Sequence, residues 1–409
     1  MIFECEGAKR KMGITYNFDE ILDRTKERSK TWDFRTLKPG QVPMHGAETH
    51  FTCPQPVLDA VRKVSECQIY GYPYFTDDFS NAAAGWMKRR HDWDVKPEWV
   101  EFVNGIVPGI AFAIQAMTSV GDKVIINTPA YSPFRGCIEN NDRRISTSPL
   151  KIDMETGVVE FDWEDMEKKF SDPMATAFIL CDPQNPTGKC CTMEELKKIE
   201  ALSQKYNVFV IIDEVHADFV FEGAKHIPYP SVGEYAKNHS ALTMNPSKTF
   251  NVAGFRTGAI IVPGDDARAR INRRIAAVKG ISRTITGVAA FEACYDGSCD
   301  DYADQAKAYV AELREMLCSF FEENIPSIKI LKPQSSFVCW ADCSALGFES
   351  QKEMMDFFAN DAEVLMGNGV EYDEELGKGF IRIAYAFPKT MLMDALQKLK
   401  AAVDKRKGE

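Results

Sequence analysis

The stretch VFVIIDEVH, residues 208–216, runs five apolar residues straight into an acid. A short unbroken apolar run fits a strand buried on both faces of a sheet. In open parallel sheets, ligands bind beyond the carboxyl ends of such strands. Asp213 therefore stands where a functional acid belongs, the plainer alternative being a helix cap. Similar β-rich runs recur at 123–127, 177–181, 241–244 and 259–262, with helical stretches such as 193–206 between most of them. Strands alternating with helices predict an α/β fold, a mostly parallel sheet with helices on both faces. Upstream, 56–66, 79–90 and 109–117 have helical patterns, the last opened by the turn NGIVPG. Past about 290 the texture changes: a long helical pattern at 302–323, β-rich runs at 328–331, 336–340 and 379–383, and a closing helix at 389–403. The expected division is an N-terminal arm with part of a small domain (1–54), a large domain (55–290) and a small α+β C-terminal domain (291–409). Within 1–45 the mixed, charge-rich sequence suggests an arm plus a first helix.

The chain has 409 residues, 45% hydrophobic and 27% charged, which excludes a disordered or fibrous protein and allows two domains or one large one. There are 49 Lys and Arg against 60 Asp and Glu, a net charge of −11. That balance argues against nucleic acid or an anionic membrane as partner, while leaving room for a local phosphate pocket. No apolar run reaches the roughly 18 residues of a membrane helix. MIFECEGAKRKMG at the start lacks the apolar core of a signal peptide. Twelve cysteines, at 5, 53, 67, 137, 181, 190, 191, 294, 299, 318, 339 and 343, form no CxxC pair and no zinc-type spacing with histidine. They are expected to be reduced, mostly buried thiols of a cytoplasmic protein that holds no metal.

Three more segments carry chemistry. NPSKTFN (245–251) follows the run SALTM and places Lys248 just past a predicted strand. A desolvated lysine there could form a Schiff base, whereas alone it reads as a surface residue. CDPQNPTGK (181–189) holds Asn185 between prolines in a rigid turn. NGIVPGI (104–110) opens a helix whose first N–H groups favour a phosphate.

In this order and at these strand ends, the segments resemble the fold-type-I enzymes that use pyridoxal 5′-phosphate (PLP), the aspartate aminotransferase superfamily. The resemblance spans about residues 15–405. It implies a large domain with a mostly parallel seven-stranded sheet. It implies that Lys248 holds PLP as an internal aldimine, with Ser247 beside it in the cofactor set. Asp213 would keep the pyridine nitrogen protonated, so that the ring acts as an electron sink. Asn185 and His216 would bond the phenolic oxygen, and Tyr131, in PAYSPF, would stack on the ring and join the catalytic set. The amides of Ile106 and Val107 and the guanidinium of Arg256 would bind the phosphate. Arg382, in GFIRIAYAFP, would grip the α-carboxylate of an amino-acid substrate, with Ala47 and Asn185 alongside. Tyr72, in YGYP, would reach the cofactor phosphate of the neighbouring subunit, since family sites lie at a homodimer interface.

Within that superfamily the closest likeness is to the cystathionine β-lyase or C–S lyase branch. GWMKRRHDWDV (85–95) is similar to its W-x-x-x-R-H-x-W stretch, and DEVHADFVFEGAKHIPYPS (213–231) to its DEIH segment with a later H-x-P. The implied reaction is Cα deprotonation by the freed Lys248, a quinonoid, and loss of a thiolate from Cβ. Cystathionine or another L-cysteine S-conjugate would yield pyruvate, ammonia and a thiol. An aminotransferase shares the first steps and reprotonates the quinonoid at C4′ instead. Two features lean that way: Arg256, and His45-Gly46-Ala47-Glu48-Thr49-His50-Phe51, where the lyase pattern reads W-V-A-D-M-D-F. His45, Glu48 and His50 mark either a changed substrate or a solvated loop. Asn245 stands where many relatives carry a hydroxyl.

Overall fold

The computed structural model describes residues 14–24, 27–33, 35–278 and 283–408. Its main sheet has the order β2 (Val100–Val103), β9 (Gly258–Ile261), β8 (Ser240–Met244), β7 (Phe209–Asp213), β6 (Ala175–Cys181), β3 (Lys123–Thr128), β4 (Arg144–Asp153) and β5 (Val158–Phe161). The five central strands β8, β7, β6, β3 and β4 run parallel. β9 joins β8 antiparallel and β2 closes that edge. The seven expected strands are thus accompanied by an eighth, because β5 folds back antiparallel on β4. The turn between them is made by Asp153, whose Oδ1 accepts the amides of Glu155 and Thr156, and by Gly157 at φ 73°.

The apolar runs are continuous because each strand feeds two cores. Val210, Ile212, Phe178, Leu180 and Leu242 pack on one face. Phe209, Ile211, Ala177, Ile179 and Ala241 pack on the other. Successive side chains point to opposite faces, so a two-sided core demands apolar residues at every position. Each fully buried Ile or Leu contributes roughly 1.5–3 kcal/mol. The register sets Cys181 beside Asp213 and Asp213 beside Thr243. The turns that follow β6, β7 and β8 therefore emerge side by side, carrying Asn185, Asp213 to His216, and Lys248.

The second sheet has the order β10 (Lys329–Ile330), β11 (Val338–Asp342), β14 (Phe380–Ala384) and β13 (Gly367–Asn368), all antiparallel. It packs with the helices Asp300–Asn324 and Lys389–Gly408. β1 (Val42–Pro43) pairs parallel with β12 (Val364–Leu365), tying the N-terminal segment to this unit. The first helix expected within 1–45 is not formed by the described residues there, which make turns and β1. Asn17 and Asp33 explain the difference: their side chains accept the amides two residues on, at 3.1 Å each, and that competes with helix bonding. Residues 1–13, with Cys5, lie outside the described residues. No described helix is long and apolar enough to cross a membrane.

Candidate active site

A cavity of about 370 Å³ opens at the carboxyl ends of β6, β7 and β8. Ala47, Ile106, Val107, Tyr131, Asn185, Asp213, His216, Ser247, Lys248 and Arg256 all line it. The expected residues from six separate segments thus converge on one space.

Lys248 is half-buried, and its Nζ donates to the carbonyl of Ala47. Burial pushes the amine down to about 8, with Arg382 pushing the same way and Glu48 and Asp213 opposing. An amine in that range is neutral often enough to be a nucleophile near pH 7. Asp213 is 2% exposed, and its Oδ1 accepts the Val215 amide at 3.1 Å. Burial pushes its carboxyl up to about 6, so it is ionised at neutral pH and faces the cavity as a buried anion. His216 is held far below the usual imidazole range by burial, then by the charges of Lys248 and Arg382, and stays neutral. Its Nδ1 meets the Ser336 hydroxyl at 2.8 Å. Burial also pushes the Tyr131 hydroxyl up, and its ring meets Phe134 edge-on with centroids 5.5 Å apart.

Arg382 sits inside β14 and is 5% exposed. One arm donates to Asn185 Oδ1 at 3.3 Å and the other to the carbonyl of His45. Its Nε has no hydrogen-bond partner, and among the described residues no carboxylate pairs with it. The ring of Tyr372 covers the guanidinium at 5.1 Å. A buried cation lacking a counter-ion is costly, and an incoming carboxylate removes that cost.

Another part of the cavity wall is suited to an anion. The helix Ile106–Met117 starts at Gly105, which has φ 105° and gives no side-chain cap. The first-turn amides of Ile106 and Val107 are therefore open to an anion. Arg256 lines the same space with φ 51°, a left-handed conformation a non-glycine residue adopts only under constraint. Asn245 also lines it and accepts the Ser247 amide at 2.7 Å. An amine, a buried carboxylate, a neutral imidazole with an amide, an aromatic ring and an anion cradle fit PLP part by part.

Tyr72 is not among the lining residues and stands fully exposed. The loop alternative for 45–50 fails at His50, which is 4% exposed and stacks on Phe387 with ring centroids 3.8 Å apart. Its Nδ1 receives Trp32 Nε1 at 3.0 Å and Arg24 at 3.1 Å. Ser29 bonds Glu48 at 3.2 Å, so the segment before β1 straps the loop that carries Ala47. Ser336 and Tyr372 were not legible as site residues; both act through contacts with distant positions, and no motif marks them. The eleven described cysteines are free, and most are buried, Cys190 and Cys191 among them. Cys181 lines the cavity, and burial holds its thiol far above the usual range and so unreactive. Among the described residues no group of three or more His, Cys, Asp or Glu could hold a metal.

Residues 43–399 match the family described as aminotransferase class I and II. The chain is 33% identical to cystathionine beta-lyase PatB of Bacillus subtilis (strain 168), over 95% of this chain and 100% of that protein. Among solved structures, cystalysin from Treponema denticola, which contains a PLP cofactor, superposes with a TM-score of 0.91 at 29% identity, over 96% of this chain and 100% of that one. The PLP-bound C–S lyase from Staphylococcus hominis superposes with a TM-score of 0.87 at 28% identity, covering 95% and 98%. Full-length similarity, a shared fold and a cavity built of the expected side chains agree, and this chain belongs to the aminotransferase class I and II family.

Proposed function

We propose that this protein is a PLP-dependent C–S β-lyase that converts L-cystathionine or a related L-cysteine S-conjugate to pyruvate, ammonia and a thiol. The observation that carries the reading is Arg382, buried with no carboxylate partner among the described residues and bonded to Asn185, which lines the same cavity as the Lys248 amine. That pair suits a substrate bearing an amino group and a carboxylate on one carbon. Similarity to PatB along the whole chain supports elimination as the outcome.

Bound PLP supplies an electron sink for the substrate's Cα. Lys248 would hold the cofactor covalently, Asp213 its ring nitrogen, Asn185 and His216 its phenolic oxygen, and Ile106, Val107, Ser247 and Arg256 its phosphate. Tyr131 would cover the ring. Arg382 and Asn185 hold the substrate carboxylate and so orient the Cα–H bond. Lys248 would accept the Cα proton as general base, a task its amine near 8 suits. The Cβ–S bonding pair leaves with sulfur.

We read residues 55–290 as the large cofactor-binding domain, flanked by the arm 1–54 and the small domain 291–409. A homodimer in which Tyr72 reaches the partner's cofactor phosphate is supported by the exposed row Ile69, Tyr70, Tyr72 and Tyr74. A cytoplasmic location is supported by the free thiols. The test mixes the PLP-loaded protein with L-cystathionine and follows pyruvate and free thiol. Both products are expected. A visible absorbance change that a 2-oxo acid reverses, with no thiol released, would instead establish amino transfer, which Arg256 favours.

A further inference from the structure

Two motifs contribute most of their polar side chains elsewhere than to the cavity: GWMKRRHDW (85–93) and the later part of DEVHADFVFEGAKHIP (213–228). The fold brings them together behind it. The helix Asp78–His91 presents Trp86 and His91 to Asp218. Asp218 Oδ1 accepts Trp86 Nε1 at 3.1 Å and lies 3.3 Å from His91 Nε2, while its Oδ2 accepts the Thr249 hydroxyl. The His91 ring meets the His226 ring edge-on, with centroids 5.2 Å apart. His226 Nε2 lies 3.0 Å from Glu214 Oε2 and its Nδ1 3.7 Å from Asp182 Oδ2, all three side chains being 2% exposed, yet neither ring nitrogen nor Glu214 Oε2 forms a hydrogen bond in this arrangement.

Each of these carboxylates is tied to a residue of the cofactor site. Asp182 opens the turn that leads to Asn185, and its amide donates to the Asp213 carbonyl at 3.1 Å. Glu214 follows Asp213, and its amide donates to the Thr243 carbonyl at 3.2 Å. Asp218 holds Thr249, the neighbour of Lys248. Proton counting adds a second constraint. Two carboxylates face His226, yet a neutral imidazole carries one N–H. Without a further proton, one contact sets lone pair against lone pair, unscreened because the groups are buried. Burial acts in the same direction, raising Glu214 to about 8 and Asp182 to about 6 while lowering His226. A surface cavity of about 400 Å³ reaches both imidazoles. The other charged groups around it are Arg89 and Arg90, paired with Asp300 and Asp304, and Lys225, Lys307 and Asp92.

We propose that His91 and His226 are positioning residues of the active site. They clamp the backbone that carries Asn185, Asp213 and Lys248, and a proton shared by Asp182, Glu214 and His226 keeps that clamp closed. The inference rests on the cofactor reading of the cavity and is indifferent to whether elimination or amino transfer follows.

The test titrates PLP into the apoprotein over roughly pH 6.5–9.5, a range that brackets imidazole and raised carboxyl titrations, for the wild type, Glu214→Gln and His226→Ala. Cofactor affinity is read from visible absorbance, with melting temperature recorded in parallel. Wild-type affinity should fall above about pH 8 by up to about tenfold per unit, the limit for loss of one proton. Glu214→Gln, whose amide supplies an N–H to His226 without titrating, should lose that part of the fall. His226→Ala should bind PLP at least about tenfold more weakly at every pH, as when a buried charge partner is removed. A Glu214→Gln profile that superimposes on the wild type overturns the proposal, and it does so even if His226→Ala does not fold. So does a His226→Ala protein with lowered melting temperature but unchanged cofactor affinity. A wild-type chain that takes up no PLP at any pH overturns the cofactor reading as well.

Discussion

Two buried polar clusters lie back to back where β6, β7 and β8 end. In the front cluster the charged groups are not paired with one another: Lys248 bonds a carbonyl, Asp213 a backbone amide, and Arg382 an amide oxygen and a carbonyl. In the rear cluster every carboxylate faces an imidazole, at 3.0 to 3.7 Å. Burying an unpaired charge costs several kcal/mol, whereas a paired one costs far less. The front cluster is thus held in a state that a cofactor and a substrate carboxylate would relieve. The rear cluster sets its carboxylates against imidazoles beneath the backbone on which the front one stands, with Glu214 Oε2 and both ring nitrogens of His226 making no hydrogen bond.

The contrast yields tests of decreasing size. Lys248→Ala should cost about 10³-fold or more in turnover. Mass spectrometry after borohydride should find no cofactor fixed to the chain, and a fixed cofactor would break the assignment. Asp218→Ala should lower unfolding free energy by roughly 3–5 kcal/mol, because Trp86, Thr249 and His91 all lose their partner. Arg382→Ala should behave oppositely in stability, leaving the denaturation midpoint unchanged or raised. It should weaken amino-acid binding by about 2–5 kcal/mol, measured by spectral titration. A midpoint that drops as far as for Asp218→Ala would erase the distinction between the clusters. Gly46→Val should cost about 1–3 kcal/mol, because a Cβ there meets Thr31 Oγ1 at 2.4 Å. Thr31→Ala should restore much of it, as read by thermal melts.

The smallest effect is in pH. Glu214 has a folded value near 8, above its unfolded one, so its contribution to stability is complete in acid and is lost as pH rises through 8. His226 is depressed in the fold, so its contribution is complete above its unfolded value, about 6.5, and is lost as pH falls. Melting temperature should therefore decline on both flanks, and Glu214→Gln should flatten the alkaline one. A curve left unchanged by that substitution would show that the proton sits elsewhere.

Much of the fold was legible in the sequence. The run 208–212 anticipated β7, and Met193–Tyr206 is the helix expected there. Both signals are local: two-sided burial writes an apolar run, and the capping box of Thr192 and Glu195 marks the helix start. The eighth strand was missed because β5 is only four residues long and largely exposed, so no apolar run announces it. Among the described residues of 1–45 the expected helix does not form, because side-chain turns at Asn17 and Asp33 outweigh a weak propensity. Lys248, Asp213 and Asn185 were legible since each follows a strand whose end the run marks.

The sequence alone thus specified an α/β chain, its strand-end acid, amide and lysine, and the family they resemble, since each depends on short-range pattern. The partners of those residues could not be read that way. Arg382 reaches His45 across 337 positions, and His216 reaches Ser336 across 120. The meeting of Trp86 and His91 with Asp218 likewise follows from the packing of a helix against a loop over a hundred residues away. Only the folded chain sets which charges find a partner and which face the cavity without one, because that choice depends on three-dimensional proximity and the loss of water around each group.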